Sequence, residues 1–204
     1  MKKLILLIPA MWLMSFTGTG PGITKAERKA AIESLNKTQD DLLATIEELS
    51  VEQLNFKSSP ESWSVSECVE HIAISETNLF GMIQGTLKEQ ADAALKSEIK
   101  LTDEQVFAAI VDRTYKVKTQ EAFVPSGKFG SHEATIKEFL NKRKANIDYL
   151  KDTQDDLRNH FFTFPVEALG TVDSYQLFYF MSGHTKRHTL QIEEVMSDPS
   201  FPKK

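Results

Sequence analysis

Residues 173–197 read DSYQLFYFMSGHTKRHTLQIEEVMS, and the periodicity of this stretch decides the fold class. Leu177, Met181, His184, His188, Gln191 and Val195 follow one another at steps of four, three, four, three and four. That is the stripe of an amphipathic helix with one buried side. Asp173 is its expected cap, and Pro199 stands just past its end. Polar side chains hold half of the stripe, at positions where a helix core ordinarily takes apolar ones.

Working outward, three more segments carry the same period. The first runs from about Thr24 to Ser50, with Ile32, Leu35, Leu42, Ile46 and Leu49 on one side. Thr24 and Glu27 have the spacing of a capping box. The second starts after Trp63, with Ser64 and Glu67 as a second box, and its stripe reads Val65, Cys68, Ile72, Ser75, Leu79, Met82 before fading near Gln90. The third runs from Ser131 to about Thr153, with Ile136, Phe139, Leu140, Ile147 and Leu150 turned inward. Between the second and third, Thr102 to Val117 predicts a shorter helix, and Phe123 to Gly130, with Pro125 and two glycines, predicts a loop. Four long amphipathic helices without a convincing strand make an all-α protein, a four-helix bundle over residues 24–197. The long connection between helices 2 and 3 admits an order other than simple up-down-up-down.

The bulk numbers agree with one folded domain. The chain has 204 residues, 41% of them hydrophobic and 26% charged, with a net charge of −5. Its basic residues form no cluster, which argues against nucleic acid as a partner. Cys68 is the only cysteine, so no internal disulfide can form, and on an apolar helical face it reads as a small hydrophobe. Residues 1–22 stand apart: Lys2 and Lys3, an apolar run from Leu4 to Phe16, then Thr17, Gly18, Thr19 and Gly20. This is the pattern of a signal peptide, and it predicts export to the periplasm or the exterior, with no stable membrane association after cleavage. The run is shorter than the roughly 20 apolar residues of a membrane span. An uncleaved anchor is the alternative.

His184 and His188 are one turn apart, offset by about 40° and roughly 6 Å along the helix axis. Two imidazoles so placed can share one divalent ion, as in H-E-x-x-H helices, although Thr185, Lys186 and Arg187 here leave out the central glutamate. The plainer reading is a pair of core histidines satisfied by hydrogen bonds, which would need several polar partners in that core. A shared ion with a third ligand meets the need more simply. His71, on or beside the inward stripe of the second segment, offers that ligand, since bundles build metal sites from facing helices. His132 and His160 fall at a helix start and in a loop and read as surface residues.

At these residues the chain also resembles a known family. Trp63-Ser64-Val65-Ser66-Glu67-Cys68-Val69-Glu70-His71 resembles the W-S-x-x-E-x-x-x-H signature of DinB-like proteins. Gly183 to Ile192 resembles their closing H-x-x-x-H-x-x-Q-I helix, and Leu169-Gly170-Thr171-Val172 resembles the segment leading into it. The resemblance implies a four-helix bundle, often a homodimer, with a zinc or nickel ion on His71, His184 and His188. It also implies activity on a small-molecule substrate, since some relatives are S-transferases using bacillithiol or mycothiol. Low-molecular-weight thiols are scarce outside the cytoplasm, so the signal peptide speaks against that chemistry here.

Three protein ligands leave one coordination position free, the pattern of catalytic sites, where a water or thiol becomes nucleophilic near neutral pH. The expected function is a metal-dependent transferase or hydrolase; the alternative is a non-catalytic exported metal-binding or stress-related bundle. Glu67 could accept the free N–H of His71, or serve only its capping box. Gln191 could orient a ligand or substrate, or be a packing amide. Arg143, which interrupts the third stripe, could clamp an anionic substrate group, or simply snorkel. Trp63, Phe178, Tyr179 and Phe180 read as core rather than as a substrate platform.

Overall fold

A computed structural model describes residues 22–114, 118–166 and 168–203. The signal-peptide reading falls on residues 1–22 and, apart from Gly22, lies outside the described residues. In chain order the elements are α1 (Lys25–Ile46), α2 (Val51–Asn55), α3 (Val65–Thr86), α4 (Ala93–Lys96), α5 (Asp103–Val111), a 3₁₀ turn (Glu121–Phe123), α6 (His132–Asp152), β1 (Phe161–Thr163), β2 (Thr171–Asp173) and α7 (Gln176–Met196). The four long helices α1, α3, α6 and α7 are those the stripes predict.

The starts of α1, α3 and α6 are set by side-chain caps. Thr24 with Glu27, and Ser64 with Glu67, form the two expected capping boxes, and Ser131 caps α6. Several boundaries differ from expectation. The first helix stops at Ile46, because Ser50 and Gln53 form a capping box of their own and start α2. The second ends at Thr86 rather than near Gln90. The predicted Thr102–Val117 helix is the shorter α5, capped by Thr102, and residues 115–117 lie outside the described set. The N-cap of the last helix is Tyr175 rather than the expected Asp173, which sits further out: Gln176 N–H donates to the Asp173 carboxylate at 2.7 Å, and Asp173 N–H donates to the Gln176 side chain at 3.2 Å. Asp173 belongs to a feature the sequence reading lacks, the antiparallel pair β1–β2, in which Phe161, Phe162 and Thr163 face Asp173, Val172 and Thr171.

Neighbouring helices are α1 with α7, α7 with α3, α3 with α6 and α6 with α1. The core has two apolar halves. One gathers Leu35 of α1, Leu79 and Ile83 of α3, Ile147 and Leu150 of α6, and Leu177 and Met181 of α7. The other gathers Leu42 and Ile46, Val65 and Ile72, Phe139, and Ile192 and Val195 of the same four helices. Thus α1 and α7 begin in the first half and end in the second, while α3 and α6 run the opposite way. The chain order is up, down, down, up. Two consecutive helices that point the same way need a return path along the bundle, about 33 Å for a helix of 22 residues. The long 87–131 connection supplies it, laying α5 against α7 on the way. That packing is close. A Cβ on Gly183 would stand 3.0 Å from the Phe107 carbonyl oxygen and 3.2 Å from Ile110 Cβ.

Between the apolar halves every long helix contributes polar groups: Thr38, Glu76, Arg143 with Asn146, and Thr185. The histidines sit beside this layer.

Candidate metal centre

α3 carries His71, and α7, its antiparallel neighbour, carries His184 and His188. The three rings meet, with centroids 4.9 Å apart for His71–His184, 4.3 Å for His71–His188 and 4.5 Å for His184–His188. One donor nitrogen from each lies within 4.8 Å of the others, and among the described residues no fourth His, Cys, Asp or Glu joins the group. His71 and His188 are 3% and 7% exposed, whereas His184 is half-buried.

Hydrogen bonds decide which nitrogen is free in two of the rings. Nδ1 of His71 donates to the Phe123 carbonyl at 2.7 Å, so its Nε2 carries a lone pair. Nδ1 of His188 donates to Oε1 of Gln191 at 2.9 Å, with the same result. Nε2 of His71 lies 3.1 Å from Nε2 of His184. Two nitrogens on a tetrahedral zinc ion, at about 2.0–2.1 Å each, are roughly 3.4 Å apart. The donor set fits a divalent ion in identity, and its His71–His184 pair is close to that spacing. Burial holds His71 below the ordinary imidazole range by more than its bond to Phe123 raises it. Burial first, then the neighbouring rings, holds His184 and His188 well below it. The rings are neutral near pH 7.

The flanking residues differ in part from expectation. Glu67 does not reach His71: its carboxylate accepts from Ser64 N–H at 2.8 Å and pairs with Lys57 at 2.8 Å. The second partner of His71 is instead a backbone carbonyl 52 residues away. Arg143 is no substrate clamp. It is 0% exposed, with Nη2 2.6 Å from Glu76 and 2.7 Å from Thr185 Oγ1, and Nη1 2.5 Å from the Leu35 carbonyl. Gln191 stands on the seam as expected and orients His188. Trp63, expected in the core, is half-buried, its indole 4.8 Å from the His71 ring and 6.1 Å from that of His188. Phe180 stacks on His184 at 6.3 Å, while Phe178 is buried in the core. Arg113, absent from the sequence reading, pairs with Glu194 at 2.6 Å and reaches Gln191 at 3.5 Å. His132 and His160 are half-buried rather than fully on the surface. Cys68 is sealed in the core, its thiol pushed up to about 12 by burial, so it is no nucleophile here.

Fold and site together define a helical bundle with a three-histidine cluster able to bind a divalent metal ion. The family profile of the DinB superfamily matches residues 34–192, and the chain belongs to that superfamily. Among solved structures the chain is similar to YfiT from Bacillus subtilis, described as a probable metal-dependent hydrolase with an unusual four-helix bundle topology. The two share 15% identity and a TM-score of 0.57 over 89% of this chain and 92% of that one. At that identity the likeness speaks for the fold. No curated protein gives a significant sequence match.

Proposed function

We propose that this protein is a metal-dependent enzyme, a hydrolase or group transferase, acting on a small molecule. In this reading His71, His184 and His188 hold a zinc or nickel ion. One observation carries it: three neutral imidazoles converge, and among the described residues no fourth His, Cys, Asp or Glu joins them. Three protein ligands, with the fourth position left over, are the mark of catalytic rather than structural sites. A divalent ion there supplies Lewis acidity, which makes a water or thiol nucleophilic near neutral pH and polarises the group it attacks. The chain's own residues do the rest. Phe123 and Gln191 keep Nε2 of His71 and of His188 bare and aimed. Trp63 and Phe180 wall the cluster with aromatic surface. With the Cys68 thiol inert, the nucleophile comes from solvent or from a second substrate.

The test begins with metal analysis of the purified mature protein, comparing wild type with His71→Ala and His184→Ala. Near-stoichiometric metal in wild type, lost in both variants, is expected. Unchanged content in both would overturn the site. Turnover of water- and thiol-dependent model reactions should then vanish on chelation and return with metal; a chelated protein with full turnover would end the enzyme reading. Tight binding without turnover would leave a non-catalytic metal binder. We also read residues 1–22 as an export signal, which N-terminal sequencing of protein from the producing cell tests; an intact Met1 in a cytosolic fraction would refute it.

A further inference from the structure

Segment 121–128 crosses α3 beside the histidine cluster, and three side chains of that helix hold it. Asn78 Nδ2 donates to the Ala122 carbonyl at 2.9 Å, and His71 Nδ1 donates to the Phe123 carbonyl at 2.7 Å. The third tie is Glu70, the residue before the ligand. Its carboxylate accepts the backbone N–H groups of Ser126 at 3.1 Å, Gly127 at 2.9 Å and Lys128 at 2.9 Å. Gly127 has φ +72°, a conformation that suits glycine and turns successive N–H groups toward one anion. Glu70 is 6% exposed, so this charge has been taken out of water and is satisfied by backbone donors. Bonds to an ionised acceptor are roughly twice as strong as neutral ones. Of the three ties, then, Glu70 holds the strap most firmly.

The strap reaches the site through one atom. The Phe123 carbonyl selects the tautomer of His71 and fixes its ring plane, and its place depends on the anchored turn three residues on. We infer that Glu70 is a positioning residue for the centre: it pins the strap, the strap places the Phe123 carbonyl, and the carbonyl aims Nε2 of His71. The claim of a metal centre rests on the reading above; the claim about the ring does not.

The experiment uses the whole protein with ¹⁵N-labelled histidine, as wild type, Glu70→Ala and Glu70→Gln. Two quantities are read besides the melting temperature: solvent exchange of the His71 Nδ1–H in metal-free protein by NMR, and the Zn²⁺ dissociation constant by competition with a chromophoric chelator. In wild type the Nδ1–H should be protected. In Glu70→Ala it should exchange at least about ten-fold faster, with zinc binding about 10–100-fold weaker, the usual cost of losing an outer partner of a ligand. Glu70→Gln, with the same shape but one acceptor oxygen, should fall between, and it decides the matter if the alanine variant does not fold. Folded variants with wild-type exchange and zinc affinity would overturn the inference and leave the metal centre standing. A wild type that binds no zinc, but whose His71 exchange still depends on Glu70, would remove the metal reading and leave the positioning role.

Discussion

The outer nitrogens of His71 and His188 are held in different ways. His188 leans on Gln191, an amide three residues away on its own helix, and His71 leans on a carbonyl of a distant strap. Gln191→Ala should therefore weaken metal binding by about 10–100-fold with little loss of stability. Glu67→Ala should do the reverse, costing about 1 kcal/mol as a lost cap while zinc affinity stays within two-fold. Chelator competition and chemical denaturation on the same samples separate the two; equal zinc loss in both would mean that Glu67 acts on His71 after all. The three-histidine cluster was legible because a histidine on an apolar stripe stands out by residue type. The partner of His71 was not, because every residue has a carbonyl and nothing in Phe123 marks its own as special. Arg143 was misread because a long stripe-breaking cation looks the same from sequence whether it meets a substrate or a glutamate on the next helix.

Helix starts were legible for a local reason: a hydroxyl and a carboxyl three residues apart cap a helix wherever they stand, as Thr24 with Glu27 and Ser64 with Glu67 do. The break between α1 and α2 was missed because Leu49 continues the apolar period through it, while Ser50 with Gln53 supplies a second start. The strands β1 and β2, three residues each, are too short for a period of two to register. Contact between elements distant in sequence leaves fainter marks still, and Gly183 is the clearest case. It lets α7 approach α5 where a methyl group would press on the Phe107 carbonyl at 3.0 Å, backbone that cannot turn aside. Gly183→Ala should cost about 1–3 kcal/mol of unfolding free energy in urea through overpacking. A variant as stable as wild type would show that α5 yields freely.

Arg143 joins all four long helices: it grows from α6 and bonds to Leu35 and Thr38 of α1, Glu76 of α3 and Thr185 of α7. Asn146 adds a bond to the Glu76 carboxylate at 2.9 Å. A charged layer between two greasy halves fixes which heights on the four helices coincide, and so brings α3 and α7 into the offset at which their histidines meet. Arg143→Met alone leaves a buried, unpaired carboxylate and should cost about 3–5 kcal/mol. Arg143→Met combined with Glu76→Leu should recover much of that, since apolar replacements of buried ion pairs are often neutral or better. If the double variant is no more stable than the single, the network is worth more than its charges. The wall of the site has a practical corollary. Trp12 and Trp63 are the only indoles of the chain, and cleavage of a 22-residue leader would carry the first away. The indole that would then remain, Trp63, lies 4.8 Å from the His71 ring and 6.1 Å from that of His188. If the cluster takes up a divalent ion, open-shell nickel should quench the Trp63 emission and closed-shell zinc should leave it bright.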